Sequence, residues 1–421
     1  MKVYADLHIH SKFSGGSSEQ MSIPTLVSYA LIKGLRLLGT GDSLHPSWLR
    51  ELKSDLVDFG GGFYHYRLNP EVLFVVECEV GTVFEFEGRV RRIHHVILMP
   101  SIEVAEQLSD KLSNYGDVIS NGRPVFNMHP SELVDIVLSV DSSCFIFPAH
   151  IWTPWWSMFG AFSGVDRVED CYGDRVDEIY AIETGLSSDP EMNWRVGQLH
   201  GYSILSFSDS HSPYPFRLGR EACLFDLERM DYRELIDVIK SRDRSRFLMT
   251  VEVDPSYGKY HWSGHRNCNV GPIPPDKARE LNYLCPVCGR RLTKGVEDRV
   301  EELADHPRGF KPQNFIPFIK VLPLQTIIAF SMNISEDNIQ KLNSGRVWSV
   351  YTNLVTFFGS EFNVLLDASI NDIARISSPT IASYIKCLRE GKYSITPGFD
   401  GVYGRINMFG GSMDLRGFIR S

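Results

Sequence analysis

The sequence of 421 residues lacks the features that mark fibrous, disordered, disulfide-stapled or membrane-spanning proteins. It has no internal repeat, no low-complexity segment, and no run of about 18 uncharged apolar residues long enough to span a bilayer. Its first residues lack the apolar run of a signal peptide, and only eight of its residues are cysteines. Hydrophobic residues make up 43% and charged residues 23%, the balance of an ordinary folded protein. We therefore expect a soluble, cytoplasmic protein of two or three domains.

Charge is distributed unevenly along the chain. Residues 1–255 contain 23 basic and 37 acidic residues, whereas residues 256–421 contain 20 basic and 15 acidic residues. The formal net charge of the whole chain is −9. An acidic N-terminal part followed by a mildly basic C-terminal part indicates a metal-binding catalytic domain joined to a part that binds a polyanion.

The front of the chain alternates short apolar runs with amphipathic segments, which predicts alternating strands and helices. A hairpin is predicted over residues 84–98. Seven such strands favour a βα barrel or an open parallel sheet. The predicted strands are Val3–His8, Leu35–Thr40, Leu73–Glu77, Phe145–Ala149, Glu178–Ile182, Ser203–Phe207 and Arg246–Glu252. The predicted helices are Ile23–Lys33, Glu132–Val140 capped by Ser131, and Tyr232–Ser241 capped by Asp231.

The alternation stops near residue 255, and the rest of the chain divides into two further parts. Residues 256–297 gather histidine and cysteine, and residues 298–421 have helical periodicity. We expect a catalytic α/β barrel over 1–255, a zinc-binding module over 256–297 and an α-helical C-terminal domain over 298–421. The predicted C-terminal helices are Ile316–Phe330, Glu336–Asn343, Val347–Phe358, Glu361–Leu366, Asn371–Ile376 and Pro379–Glu390.

Imidazole and carboxylate side chains follow successive strands of the predicted barrel. His8 and His10 occupy alternate positions, and alternate residues of a strand face the same side. The carboxyl ends of barrel strands are where α/β barrels assemble their active sites. The candidate ligand and catalytic set is His8, His10, Asp42, Glu77, His95, His150, Asp209 and His211. Such a set suits two or three divalent ions of Zn, Mg or Mn, which would support hydrolysis of a phosphoester.

Three choices within this set stay open. His94 and His95 point to opposite faces of one strand, and we favour His95 because it directly precedes an apolar run. Glu77 is favoured over Glu79 as the carboxylate that bridges two ions. His45 is a weaker candidate because it lies at the start of the following helix.

A second ligand set lies behind the barrel. His265, Cys268, Cys285 and Cys288 have the residue types and spacing of a zinc knuckle, with four ligands and no open position. This predicts a structural zinc ion that supplies most of the folding energy of its module. His261 is an alternative to His265. Basic residues around the knuckle could contact phosphates, namely Arg266, Arg290, Arg291 and Lys294.

Aromatic residues follow the candidate ligand His150. Tryptophans at positions 152, 155 and 156 are predicted to lie on a loop, where an accessible ring could stack on a base. Core packing is the competing interpretation for each ring. The candidate substrate contacts are Trp152, Trp155 and Arg217.

The front half of the chain resembles the PHP (polymerase and histidinol phosphatase) family. The resemblance rests on Asp6-Leu7-His8-Ile9-His10-Ser11, Thr40-Gly41-Asp42, Ala149-His150 and Ser208-Asp209-Ser210-His211, in that order. It implies a distorted seven-stranded βα barrel, a trinuclear metal site and phosphoesterase activity. The chain departs from the family pattern at Ser14-Gly15-Gly16, where a further histidine is usual, and at Gly41-Asp42, where Asp-His is usual. Asp42 or His45 is then the candidate for the third metal position.

The layout of the whole chain resembles the archaeal-type endonuclease Q family. The barrel, the Cys/His module and a tail with Pro397-Gly398-Phe399-Asp400-Gly401 follow each other in that order. The resemblance implies a DNA repair endonuclease that nicks duplex DNA 5′ to deaminated bases (uracil, hypoxanthine, xanthine) or abasic sites. The alternatives are a small-molecule phosphatase of the histidinol-phosphate type and a non-catalytic zinc-dependent nucleic-acid adaptor. Residues Arg416–Arg420 are a candidate docking peptide for a sliding clamp.

Overall fold

A computed structural model of the chain describes residues 1–334 and 339–408. Most of the strands lie within the first 273 residues. The strands are β1 (Lys2–Asp6), β2 (Leu35–Gly39), β3 (Leu56–Gly60), β4 (Phe63–Tyr66), β5 (Asn69–Phe86), β6 (Arg89–Met99), β7 (Val125–Phe126), β8 (Phe145–Pro148), β9 (Ala181–Glu183), β10 (Ser203–Leu205), β11 (Ala222–Asp226), β12 (Phe247–Glu252), β13 (Ser263–His265), β14 (Val270–Ile273), β15 (Phe318–Lys320), β16 (Ser394–Thr396) and β17 (Arg405–Asn407).

Helices lie between the strands and dominate the region from residue 324 to residue 389. The α-helices are α1 (Ile23–Lys33), α2 (Pro46–Asp55), α3 (Ile102–Leu112), α4 (Pro130–Val140), α5 (Val168–Tyr172), α6 (Pro190–Trp194), α7 (Tyr232–Ser241), α8 (Pro275–Glu280), α9 (Val296–Leu303), α10 (Leu324–Ser331), α11 (Ile339–Leu342), α12 (Gly345–Phe358), α13 (Ile370–Ile376) and α14 (Pro379–Arg389). Short 3₁₀ turns occupy Gly173–Glu178, Gly185–Ser187, Gly197–Leu199, Pro255–Tyr257 and Arg266–Cys268, and a π-helical turn occupies Asn363–Asp367. None of the helices in the described ranges has the length and apolar character needed to cross a membrane.

One large sheet organises the front of the molecule. Its strands run in the order β15-β12-β11-β1-β2-β5-β4-β3, and β6 joins through β5 and carries β8. Strands β1, β2 and β5 are mutually parallel neighbours, and β9 and β10 form a separate parallel pair. The ends of β1 and β2 therefore lie beside the middle of β5, and the candidate site is built there. The α/β architecture is confirmed, and the count of seven barrel strands stays a prediction.

Two apolar clusters cover the two faces of these strands. The inner cluster takes alternate residues from successive strands, such as Val3 and Ala5 of β1, Leu37 of β2 and Val75 of β5. The outer cluster joins the other strand faces to the helices and continues into α10, α12 and α14. This alternation is the period of two that a strand buried on both sides requires.

The predicted helix Ile316–Phe330 is wrong in its first half. Residues Phe318–Lys320 form β15, which pairs in parallel with β12, and the helix begins only at Leu324. Pro317 and Pro323 bracket the strand, and neither has an N–H group to donate within a helix. The edge of β12 is the pairing partner of residues 318–320. The helical periodicity of the sequence gives no sign of this distant strand.

Several other predicted elements are close to those observed, whereas the predicted strand Glu178–Ile182 overlaps β9 only at its end and the predicted helix Glu361–Leu366 is largely a π-helical turn. Helices α1 and α7 have the predicted bounds, and Asp231 caps α7. Helix α4 begins at Pro130, and its cap is His129 rather than Ser131. The hairpin is confirmed but longer than predicted, because β5 and β6 pair continuously from Val76–Met99 to Phe86–Arg89. Strand β11 was not predicted.

The C-terminal helices pack on α1 through a buried ion pair. Lys33 Nζ at the end of α1 lies 2.8 Å from Glu361 Oε1 and donates to the carbonyl of Pro215 at 2.7 Å. Tyr351 donates to the other oxygen of Glu361 at 2.8 Å. The predicted helix 336–343 is described only over Ile339–Leu342. The three domain boundaries and an independent helical domain stay predictions.

Candidate metal centre

His8 and His10 follow β1 and point into the same buried site. Nδ1 of His8 donates to Glu183, at 2.9 Å from Oε1. Nε2 of His8 is buried without a hydrogen-bond partner, 3.7 Å from Glu79 Oε1 and 3.8 Å from Asp209 Oδ1. A buried imidazole nitrogen between two carboxylates fits a metal ligand better than a packing residue, because an unpaired buried nitrogen is costly.

Glu79, rather than the favoured Glu77, lies at the centre of the site. Its Oε1 is 2.9 Å from His94 Nδ1 and 3.0 Å from His150 Nε2. Although burial favours the neutral form, the neighbouring His94 and Arg123 lower the pKa of the Glu79 carboxyl well below its usual range. Glu79 is therefore available as a carboxylate bridge.

Glu77 shares a strand face with Glu79 but lies two residues further down β5. Its Oε2 accepts the backbone N–H of Gly41 at 3.0 Å, and a side chain at Gly39 would place its Cβ 2.7 Å from the same oxygen. Burial raises the pKa of Glu77 to about 8, so the group is predominantly neutral at neutral pH. The choice of Glu77 as the bridge is corrected to Glu79, since Glu77 packs against β2 beneath the cluster.

The register of the hairpin decides between His94 and His95. His94 pairs with Gly81 of β5, on the face that carries Glu79, whereas His95 pairs with Val80 on the other face. Both nitrogens of His95 have partners there, Thr82 Oγ1 at 2.9 Å and Tyr172 Oη at 2.9 Å. Burial lowers the pKa of His95 to about 3, which keeps it neutral. The preference for His95 is corrected to His94.

His150 completes the half of the site around His94. Its Nε2 lies 3.4 Å from Nδ1 of His94, with both nitrogens facing Glu79. Its backbone N–H donates to Glu183 Oε2 at 2.7 Å, and its φ of +31° turns the chain directly after β8. Glu183 was missed by the sequence analysis, although it ends the strand β9 as the other site residues end theirs.

Asp209 faces the ligands from the loop after β10. Its Oδ1 lies 3.0 Å from Nε2 of His10, and the side chain is 30% exposed. Burial by itself would raise the pKa of Asp209. The hydrogen bond from His10 outweighs this effect and lowers the pKa of Asp209 far below its usual range. His211 lies beside it with its ring centroid 4.2 Å from that of His10, but it does not join the donor groups described below.

Asp42 and His45 hold other residues in place. Asp42 Oδ1 accepts from Nδ1 of His10 at 3.0 Å, and its Oδ2 accepts from the N–H and hydroxyl of Ser11 at 2.7 and 2.6 Å. His45 Nε2 donates to the carbonyl of Ile119 at 2.7 Å, and its Nδ1 accepts from Trp48. Neither side chain has a donor atom left for an ion, so the expectation that one of them fills a third metal position is corrected.

The nitrogen and oxygen atoms collect into two overlapping groups that share Glu79. The ligand atoms of each group lie within 4.8 Å of one another. One group is His8, His10, Glu79 and Asp209, and the other is Glu79, His94 and His150. Neutral imidazole and carboxylate are the donors that suit zinc and manganese, and a shared carboxylate is the usual bridge of a two-ion site. The donor set therefore fits two divalent ions.

The Cys/His module brings its four predicted ligands together. His265, Cys268, Cys285 and Cys288 form a third such group, with Nδ1 of His265 3.5 Å from Sγ of Cys288. Burial by itself would raise the pKa of the Cys285 thiol. Hydrogen bonds from the backbone N–H groups of Cys288 and Val287 outweigh this effect and lower the pKa to about 7. His261 lies outside the group, buried near Ser256, so the alternative ligand is not used.

The aromatic residues after His150 have different environments. Trp152 is 1% exposed, packs against Phe159 and donates to Asn193 Oδ1 at 2.8 Å, so its prediction as a substrate contact is wrong. Trp155 is 44% exposed and stacks on Phe162, with Tyr260 against its edge. Arg217 is half-buried, with its guanidinium over the ring of Phe216.

Comparison with solved structures identifies the family. The crystal structure of the lesion-specific endonuclease PfuEndoQ from Pyrococcus furiosus superimposes with a TM-score of 0.85 and 33% identity, over 100% of both chains. The chain belongs to the endonuclease Q family. A crystal structure of an Endonuclease Q bound to a 27-mer duplex substrate with an abasic lesion at the active site matches with a TM-score of 0.85 and 34% identity, over 96% of each chain. The predictions of an endonuclease Q-type protein and of an endonuclease are confirmed.

Two curated relatives match this endonuclease Q family member over different shares of their length. YqxK of Bacillus subtilis is 29% identical over 426 residues, covering 96% of this chain and 99% of YqxK. MJ0043 of Methanocaldococcus jannaschii is 34% identical over 267 residues, which is 61% of this chain and 31% of MJ0043. The chain thus spans about a third of the length of MJ0043 in that match. The family model described as the MJ0043 C-terminal domain matches residues 323–392.

Proposed function

We propose that the protein is a DNA repair endonuclease that hydrolyses the phosphodiester 5′ to abasic sites and to deaminated bases, namely uracil, hypoxanthine and xanthine. The observation that supports this proposal most is the pair of donor groups that share Glu79. In addition, another member of the family is known bound to a duplex with an abasic lesion. Double-stranded DNA is the proposed substrate and partner.

The residues proposed to hold the active-site ions are His8, His10, Glu79, His94, His150 and Asp209. Divalent ions in such a set activate water for attack on a phosphate and neutralise the charge that develops there. Glu183 and Asp42 orient His8 and His10 through their Nδ1 atoms, which leaves both Nε2 atoms facing the cluster. Zinc is the proposed ion of the Cys/His module, where four nitrogen and sulfur ligands leave no open position.

Trp155 is the proposed nucleotide contact among the predicted aromatic residues. With Phe162 and Tyr260 it forms an aromatic cluster that joins the loop after β8 to the segment before the knuckle. Exposed rings at such a position can stack on a base that has left the helix. Arg217 is proposed to contact a neighbouring phosphate. The candidate clamp peptide Arg416–Arg420 lies outside the described residues and, like the cytoplasmic location, stays a prediction.

Nicking of end-labelled duplexes tests this function. Each duplex carries one abasic site, uracil, hypoxanthine or xanthine, or no lesion, and is incubated with and without chelator. We expect cleavage 5′ to each lesion, lost with chelator and in Glu79→Gln. Glu85→Gln is the matched control, because Glu85 lies exposed on the same strand. Hydrolysis of small phosphomonoesters without nicking would favour the phosphatase instead.

A further inference from the structure

Arg123 reaches the candidate metal centre from the loop between α3 and β7. Its Nη1 lies 3.0 Å from Oε2 of Glu79, and its side chain is 25% exposed. A guanidinium has five N–H donors, and Glu79 is its one side-chain acceptor within residues 1–334 and 339–408. Arg123 therefore lies between the donor groups and solvent, with most of its hydrogen-bonding capacity unused.

The backbone holds Arg123 in this position. The N–H of Gly122 donates to the carbonyl of Phe13 at 2.9 Å, and a Cβ at Gly122 would lie 2.4 Å from Oδ2 of Asp42. Asn121 Oδ1 accepts the N–H of Arg123 at 3.1 Å. Because only glycine permits this close approach, the loop is fitted to the site and delivers its arginine there.

Within the described residues, two donor groups can hold ions, and the positively charged side chain of Arg123 lies beside them. Ser14 donates to Asp42 at 2.9 Å. The oxygens of Asp42 are in turn occupied by His10, Ser11 and Ser14. A phosphate entering this site meets the positive charge of Arg123 beside the two donor groups.

We propose that Arg123 contacts the phosphate that is cleaved, donating hydrogen bonds to a non-bridging oxygen through the N–H groups that Glu79 does not use. This inference rests on the proposed function. A planar guanidinium matches phosphate oxygens in a two-pronged geometry, and a donor held in place before the reaction stabilises the charge that develops in the transition state. Arg123 thereby adds one positive charge beside the two donor groups.

Two measurements on metal-loaded wild type, Arg123→Gln and Arg123→Lys test the proposal. The first is the single-turnover nicking rate on an abasic duplex, where we expect Arg123→Gln to be slower by about 10²–10³-fold, the usual cost of losing one such donor, and Arg123→Lys to be intermediate. The second is calorimetric binding of inorganic phosphate, where we expect Arg123→Gln to bind about ten-fold more weakly. Arg229→Gln is the control, because Arg229 is 75% exposed and outside the site.

The outcomes separate this inference from the proposed function. If wild type binds phosphate more tightly than Arg123→Gln but nicks no duplex, the proposed function is wrong and the phosphate contact stands. If Arg123→Gln nicks and binds phosphate like wild type, the inference is wrong. If Arg123→Gln contains less metal than wild type by elemental analysis, Arg123 only positions Glu79, and the inference is also wrong.

Discussion

Glu183 holds His8 through a hydrogen bond of 2.9 Å to Nδ1 while its other oxygen accepts the backbone N–H of His150 at 2.7 Å. One buried carboxylate thus fixes the orientation of two candidate ligands that come from different strands. By accepting from Nδ1 it also sets the tautomer of His8, so that Nε2 is free for an ion.

Glu183→Gln should weaken metal binding, because an amide is a poorer acceptor for His8 and removes the negative charge behind it. We expect a loss of about 10–100-fold in metal affinity or nicking rate, the usual cost of an outer-shell partner. Competition with a chelating dye measures the affinity. The matched control is Glu178→Gln, at an exposed position just before β9. Unchanged affinity and rate in Glu183→Gln would contradict the role given to Glu183.

His94→Gln and His95→Gln should have different effects although the residues are adjacent. His94→Gln should lose metal and reduce nicking by more than about 100-fold, beyond the usual outer-shell loss. His95→Gln should keep the metal but lower the free energy of unfolding by about 1–3 kcal/mol, because Thr82 and Tyr172 lose buried partners. Elemental analysis and urea denaturation check the two effects. The reverse pattern would restore the original choice of His95.

Cys285→Ser should remove the ion of the knuckle without emptying the barrel site. The module has only a small core around Ile273, Ala278 and Leu292, so its folding depends on the metal. We expect one ion fewer per chain and rapid proteolysis between residues 263 and 292. Cys387→Ser is the control, since Cys387 lies on α14 away from the knuckle. A protease-resistant module in the metal-depleted variant would show that its own packing is sufficient.

Stability should fall on acidification through His261. Burial lowers the pKa of His261 to about 4, below the usual value of 6.5, so the unfolded chain binds the proton more readily than the folded chain. The contribution is complete above about pH 6.5 and decreases as the pH falls toward 4. From about pH 7.5 to about pH 5, wild type should lose about 2 kcal/mol more than His261→Gln. Urea denaturation at both pH values measures this difference, and parallel losses would refute it.

Much of the site could be predicted from local patterns. His8, His10, His150 and Asp209 each follow an apolar strand, and the knuckle ligands have a recognisable spacing. These signals are local because a strand end and a tight turn are determined by a few neighbouring residues. Glu183 carries the same signal at the end of β9, one residue beyond the predicted strand Glu178–Ile182.

Other assignments needed the strand register and the layers of the fold. His94 and His95 differ only in the face of β6 on which they lie, and a shift of one residue in pairing exchanges those faces. Trp152 and Trp155 lie three residues apart, yet one is buried against Phe159 and the other is exposed. No local pattern marks Arg123, because its role depends on a loop that approaches Asp42 from a distant part of the chain.

The amino-acid sequence by itself determined which strands end in candidate metal ligands, where the Cys/His group lies, and which family the chain resembles. The tertiary structure decided that Glu79 and His94 join the cluster, that Asp42 supports it, and that Arg123 faces it. The physical reason is that residue type and spacing act over a few residues, whereas the convergence of donors depends on strand register and on contacts between distant segments.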